Sequence, residues 1–177
     1  MKSIITQFIL AFAISACTYQ PTQAQKIVEP PWTTTQEIKR LHQKLGLQPY
    51  LKFQVFQRAV YGHRHLYFHN KRLLSIIDFT QPAYKKRLFI IDLVKKKVLY
   101  RTYVAHGVNS GNYSYATKFS NQQGSKMSSL GFYKTSETYR GKHGLSLKLD
   151  GLEPGINDRA RKRYIVMHGA KYVSARG

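Results

Sequence analysis

Three histidines in this sequence each stand directly before a glycine: His106 in AHG, His143 in KHG and His168 in MHG. His168 closes the apolar run Ile165, Val166, Met167, and His106 follows an alternating stretch that starts near Lys97. An imidazole delivered by the end of a strand suits a general base, because its ordinary pKa lies near neutrality. Such a base needs a nucleophile, and a thiol is the most readily activated one. The only cysteine is Cys17, near the N-terminus. Ser174 lies close to His168 in sequence, but a hydroxyl is far less acidic than a thiol and makes a poor substitute. Any one of these histidines reads more readily as an ordinary strand-end side chain; three of them beside glycine point to one shared site.

No metal or cofactor is expected. A three-histidine zinc site is not demanded by the spacing of His106, His143 and His168. The cluster His63, His65, His69 has no carboxylate near it in sequence and reads as a solvated basic helix end. Asp150, Glu153 and Asp158 lie in LDGLEPGIND and read as shapers of turns, not as an acid–base pair. The sequence holds no Gly-rich phosphate loop, no helical zinc motif and no serine elbow.

The charge balance narrows the partners. Lysine and arginine number 29 against 8 acidic residues, a net charge of +21 on 177 residues. A field of that sign favours nucleic acid, anionic lipid or an acidic wall polymer. The N-terminus decides among them. MKSIITQFILAFAISAC carries a lysine, an apolar run from Ile4 to Ile14 and then small residues, the pattern of an export signal. The run is shorter than the roughly 20 residues that span a bilayer. ISAC fits a lipoprotein processing site, with Cys17 becoming the lipidated first residue; cleavage after Ala24 is the alternative. Either route exports the chain and argues against nucleic acid. The expected layout is a signal peptide over 1–16, a tether over 17–32 carrying Pro21, Pro30 and Pro31, and one domain over 33–177.

The elements that must position the histidines follow from periodicity. TTTQEIKRLHQKLGL predicts a threonine-capped helix with Ile38, Leu41 and Leu45 on one face and Gly46 as its stop. Pro49 opens a second predicted helix, in which Phe53, Phe56 and Val60 recur at helical spacing. From Leu73 the period changes to that of strands. RLFIIDLVKKKVLYRTYVAHG reads as a hairpin turning at Lys95–Lys97, and GFYKTSETY, LSLKLDG and RYIVMHG as further strands. Residues 107–130, rich in Gly, Ser and Asn, form a long loop of the kind that usually serves function. The fold class is α+β: N-terminal helices, then a mostly antiparallel sheet.

From Leu73 to Tyr172 the combined string AHG, NSG, YATKFSN, SSLGFYKT, GKHGLSLKLDGLE and HGA resembles the catalytic domain of murein L,D-transpeptidases. The resemblance implies an exported cysteine acyltransferase. It would cut a peptidoglycan stem peptide after its third residue, hold the acyl group as a thioester and pass it to an amine on a neighbouring stem. It makes His168 the general base and Gly169 a close-packed turn after it. His106, Tyr139 and His143 become residues of the substrate pocket, and the 107–130 loop a wall of the donor groove. In that family a GCP-type cysteine follows the histidine by some 20 residues, whereas this chain ends at Gly177. The expectation is therefore a domain incomplete at its C-terminus, inactive for lack of the thiol. The rival expectation is a non-catalytic wall-binding protein of the envelope.

Overall fold

The structure is a computed structural model, and it describes the backbone of Ile9–Leu10 together with residues 34–174. The rest of the expected signal peptide, Cys17 and the tether lie outside the described residues.

Helix α1 spans Thr35–Lys44 and begins where the sequence predicts. Thr34 Oγ1 accepts from the Glu37 N–H, and the Glu37 carboxylate accepts from the Thr34 N–H at 2.8 Å. These two bonds form a reciprocal cap that satisfies donors the first turn cannot satisfy itself. Gly46, at φ 63°, ends the helix in the left-handed region where a side chain would be strained. Helix α2 covers Phe53–His65 and departs from the expected start at Pro49. The Tyr50 and Leu51 N–H groups bond to Leu47 O instead, each at 2.9 Å. Leu47 and Leu51 are both buried, so a separate tight turn forms before the helix.

Seven strands follow the order β4-β3-β2-β1-β5-β6-β7. They are β1 Ile9–Leu10, β2 Leu73–Ile77, β3 Leu88–Asp92, β4 Lys97–Thr102, β5 Tyr133–Gly141, β6 Gly144–Gly151 and β7 Val166–His168. β2, β3 and β4 form one antiparallel set, and β5, β6 and β7 another. The two are joined by β1, parallel to β2 and antiparallel to β5. The β3–β4 hairpin turns as expected, and the Lys95 N–H donates to Asp92 Oδ1 at the turn. Residues 107–130 contain no helix or strand, only an isolated bridge between Gly111 and Ala116. The α+β expectation holds.

One face of the sheet is closed by the helices. Ile38, Leu41, Phe56 and Val60 pack there against Leu74, Ile76, Phe89 and Ile91. Gly62 allows the close approach of α2 to the sheet, since a Cβ at that position would overlap the Phe132 ring. On the other face Ile77, Leu88, Tyr133 and Leu149 form a smaller cluster with half-buried Ile90, Val104, Ile165 and Met167.

His63 corrects an expectation. It is fully buried in α2, stacked on Phe68 at 5.9 Å, and neither ring nitrogen has a hydrogen-bond partner of normal geometry among the described residues. Burial, with the nearby Lys71 charge, pushes its pKa down to about 4. His65 and His69 remain exposed, as a basic helix end should. Burying an aromatic ring in helix register outweighed the loss of the imidazole's hydration.

Candidate active site

β7 is an edge strand three residues long, and His168 is its last residue. Its register opposes His168 to Ser146 on β6, and Ser146 in turn opposes Tyr139 on β5. The three therefore form one row across the sheet. His168 Nδ1 lies 2.9 Å from Gly169 O. A carbonyl only accepts, so Nδ1–H is the donor and Nε2 keeps its lone pair in the neutral ring. That is the tautomer a general base requires.

His143, on the β5–β6 turn, lays its ring on that of His168, 4.3 Å between centroids and 11° from parallel. Its pKa is lowered by desolvation, then by the His168 and Lys142 charges. The stacked pair restricts rotation of His168 and disfavours two positive rings in contact.

Beside His168 opens a cavity of about 690 Å³, bordered by His106, Gly107, Ser128, Arg163 and Met167. A second cavity of about 630 Å³ continues past His106 towards Tyr113 and Ser174. His106 forms the partition between them. Its Nε2–H donates to Asn112 O at 2.9 Å, and its Nδ1 accepts from Arg87 at 2.9 Å. With both nitrogens committed, His106 cannot act as a base and serves as a fixed wall. Arg87 itself is fully buried and also donates to Gln81 O and Val104 O. Burial lowers its pKa to about 10, against the opposing pull of Asp78.

Of the residues singled out from sequence, His168, His106 and Gly169 border the first cavity, and His143 joins them through its ring. Gly169 is exposed, and a Cβ there would meet nothing within 4 Å, so it is not close-packed. Tyr139 does not border either cavity; its ring lies 5.6 Å from Lys148 Nζ at the far end of the row. Among the described residues no group of three or more His, Cys, Asp or Glu side chains is placed to hold a metal.

Sequence reasoning missed Arg163. Its guanidinium donates to Ser125 Oγ, Met127 O, Ser120 O and Ser129 Oγ. One side chain thus fastens the long loop over the cavity. Desolvation lowers its pKa, and the nearby Tyr133 offsets part of that. The signal in the sequence was the serine-rich loop itself, a set of acceptors without a visible donor. Glu153 and Asn157 support the same wall from inside. Buried Glu153 accepts the Phe132 N–H at 2.6 Å, and Asn157 Nδ2 donates to Leu130 O and Phe132 O. Asp150 binds Arg161, and Asp158 accepts from Asn121 and from the Gly155 N–H. These carboxylates shape loops, as the turn reading expected.

A family model for L,D-transpeptidase catalytic domains matches residues 47–177. The chain belongs to that family. No curated protein and no solved structure matches it. The L,D-transpeptidase match covers both strand sets, the fastened loop and the strand that carries His168. It supports a transpeptidase-like function directed at peptidoglycan.

Proposed function

We propose that this L,D-transpeptidase domain works in the cell envelope, seats a peptidoglycan stem peptide in the cavity beside His168, and presents His168 Nε2 in the form that would take the proton of a thiol. The observation that carries the reading is the contact of His168 Nδ1 with Gly169 O at 2.9 Å, which leaves Nε2 the acceptor of the neutral ring in a residue that borders a cavity of about 690 Å³. Arg163 and the Arg87–His106 pair keep the cavity walls in place without taking part in proton transfer. The basic field supports the same substrate. Every described carboxylate is engaged in a cap, turn, loop or ion pair, so few acids remain to offset the cations facing solvent. A carboxylate-bearing wall polymer is drawn to such a surface.

Residues 18–177 contain no cysteine. They therefore supply the base and the binding walls of acyl transfer but not its thiol. This favours a second reading, wall binding without catalysis, for the chain as given. Export through the N-terminal apolar run, with lipidation at Cys17, would place either form at the membrane facing the wall.

The test uses the full chain with isolated sacculi and a synthetic stem tetrapeptide. Sacculi should retain the protein in a salt-dependent way, and the tetrapeptide should shift the His168 ring signals in NMR spectra. Ala105→Trp, which fills the shared wall of both cavities, should weaken peptide binding at least tenfold. Mass spectrometry should find no acylated protein. A chain that passes freely over sacculi and whose His168 signals ignore the peptide defeats the proposal. For the anchor, a mature N-terminus near Gln25 without lipid would overturn lipidation at Cys17.

A further inference from the structure

Two segments from distant parts of the chain meet at one end of the first strand set. The Leu93 N–H donates to Arg72 O at 2.8 Å. Leu73 of β2 stands opposite Asp92 of β3, which in turn stands opposite Lys97 of β4. Lys71 Nζ donates to Arg64 O at 3.1 Å and ties the end of α2 to the same place. The tip thus combines residues 64–72 with the β3–β4 turn. It carries Arg64, Lys71, Arg72, Lys95, Lys96 and Lys97. The only acidic residue within 63–72 and 92–98 is Asp92, which is buried and paired with Arg72 at 2.7 Å.

A second observation separates this tip from an ordinary solvated charge run. Val94, in the turn beside the lysines, is 68% exposed, and Tyr67, in the connection that leaves α2, is 60% exposed. Their neighbours Leu93 and Phe68 are buried. The tip therefore holds apolar side chains outward among cations. A hydrophilic wall polymer would gain from the lysines and nothing from the valine. An anionic bilayer uses both. Its headgroups attract the cations. Its interfacial zone takes up a tyrosine ring and a small apolar side chain. Long lysine stems reach from an inserted apex back to the headgroups.

We propose that the tip formed by the β3–β4 turn and residues 64–72 docks on an anionic phospholipid surface, with Val94 and Tyr67 entering the interface and Lys95 and Lys97 meeting the lipid phosphates. Charge brings the tip to the surface and the apolar pair seats it, so the contact is reversible and far weaker than a spanning segment. The strands give this docking a direction. Ile77, Leu88 and Thr102, at the other ends of β2, β3 and β4, border the cavity beside His168. Docking turns that end of the strands away from the lipid. The inference uses no residue of the candidate active site and stands independently of the substrate read for the cavity.

The experiment places a reporter at the apex of the full chain: Val94→Trp combined with Trp32→Phe, so that emission comes from position 94 alone. Vesicles of phosphatidylglycerol mixed with phosphatidylcholine are compared with phosphatidylcholine alone. The emission should shift to shorter wavelength on the anionic vesicles, stay unchanged on the neutral ones and return in high salt. Lys95→Gln with Lys97→Gln should lower the ratio of inserted to solvated reporter at least about tenfold, since each cation near such a surface counts for about fivefold. Lys85→Gln with Lys86→Gln removes the same charge from the β2–β3 connection at the opposite end. It should change the ratio less than about twofold, because salt screens charges that far from the lipid. If the reporter variant does not fold, hydrogen exchange in the unsubstituted chain decides: the amides of Val94–Lys96 must slow on anionic vesicles and not on neutral ones. An unshifted emission, an equal shift on neutral vesicles, or an equal loss from both lysine pairs overturns the proposal. A reporter that answers soluble wall fragments and not vesicles would assign the tip to the wall and overturn the lipid reading.

Discussion

The two faces of the sheet differ in what covers them. On the helix side Phe56, Phe89, Leu74 and Ile91 are fully buried and bear on one another. On the groove side Ile90, Val104, Ile165 and Met167 are only partly buried, and the last three border a cavity. Close packing is concentrated on the first face and open apolar surface on the second. An apolar surface held half open by a fastened loop is what an extended peptide needs, and a close-packed face cannot offer it.

The sharpest way to break this comparison is a pair of truncations. Phe56→Ala should destabilise the fold by about 3–5 kcal/mol, as deletion of a buried aromatic does. Met167→Ala, on the groove side, should cost about 1 kcal/mol, because the side chain is only partly buried. Urea unfolding measures both. Comparable losses would mean that the groove face is as much a core as the helix face.

A second contrast lies between His63 and His168. His63 has its pKa pushed down to about 4 by burial, while the unfolded chain keeps an ordinary value near 6.5. The unfolded state then binds the extra proton throughout that window. Stability is complete above pH 6.5 and falls as the pH drops towards 4, by about 3 kcal/mol in all. His63→Leu should flatten this part of the pH–stability curve, and His168→Gln should leave it in place. A curve unchanged by His63→Leu would show that the buried imidazole is not the group responsible.

A third variant sharpens the groove side alone. Arg163→Met removes the donor shared by Ser120, Ser125, Met127 and Ser129. It should cost about 2 kcal/mol, in the range for hydrogen bonds to a charged group. Limited proteolysis should then cut within 107–130 much faster, with α1 and α2 still protected from exchange. Equal cutting rates in parent and variant would mean that the loop is held by its own turns.

Local chemistry was legible wherever the signal and its effect lie within a few residues. Thr34 and Glu37 announced the start of α1, Gly46 its end, and the lysines after Asp92 the hairpin turn. The delivery of His168 by an apolar run was legible too, and so was the kinship carried by the glycine-flanked motifs. The burial of His63 was not, because a histidine between Gly62 and Arg64 looks the same in sequence whether it faces Phe68 or water. Arg163 was not, because its partners lie 34 to 43 residues away along the chain.

By itself, then, the sequence determined the main elements and the family. Only the tertiary structure decided that His106 is a committed wall, that His143 stacks on His168, that Gly169 stands free, and that β2 and β5 meet across a strand position filled by Ile9–Leu10. The physical reason is range. Caps, turns and periodicity act through neighbours on the chain, whereas hydrogen-bond partners, ring contacts and strand order depend on which distant surfaces the closing of the core brings together.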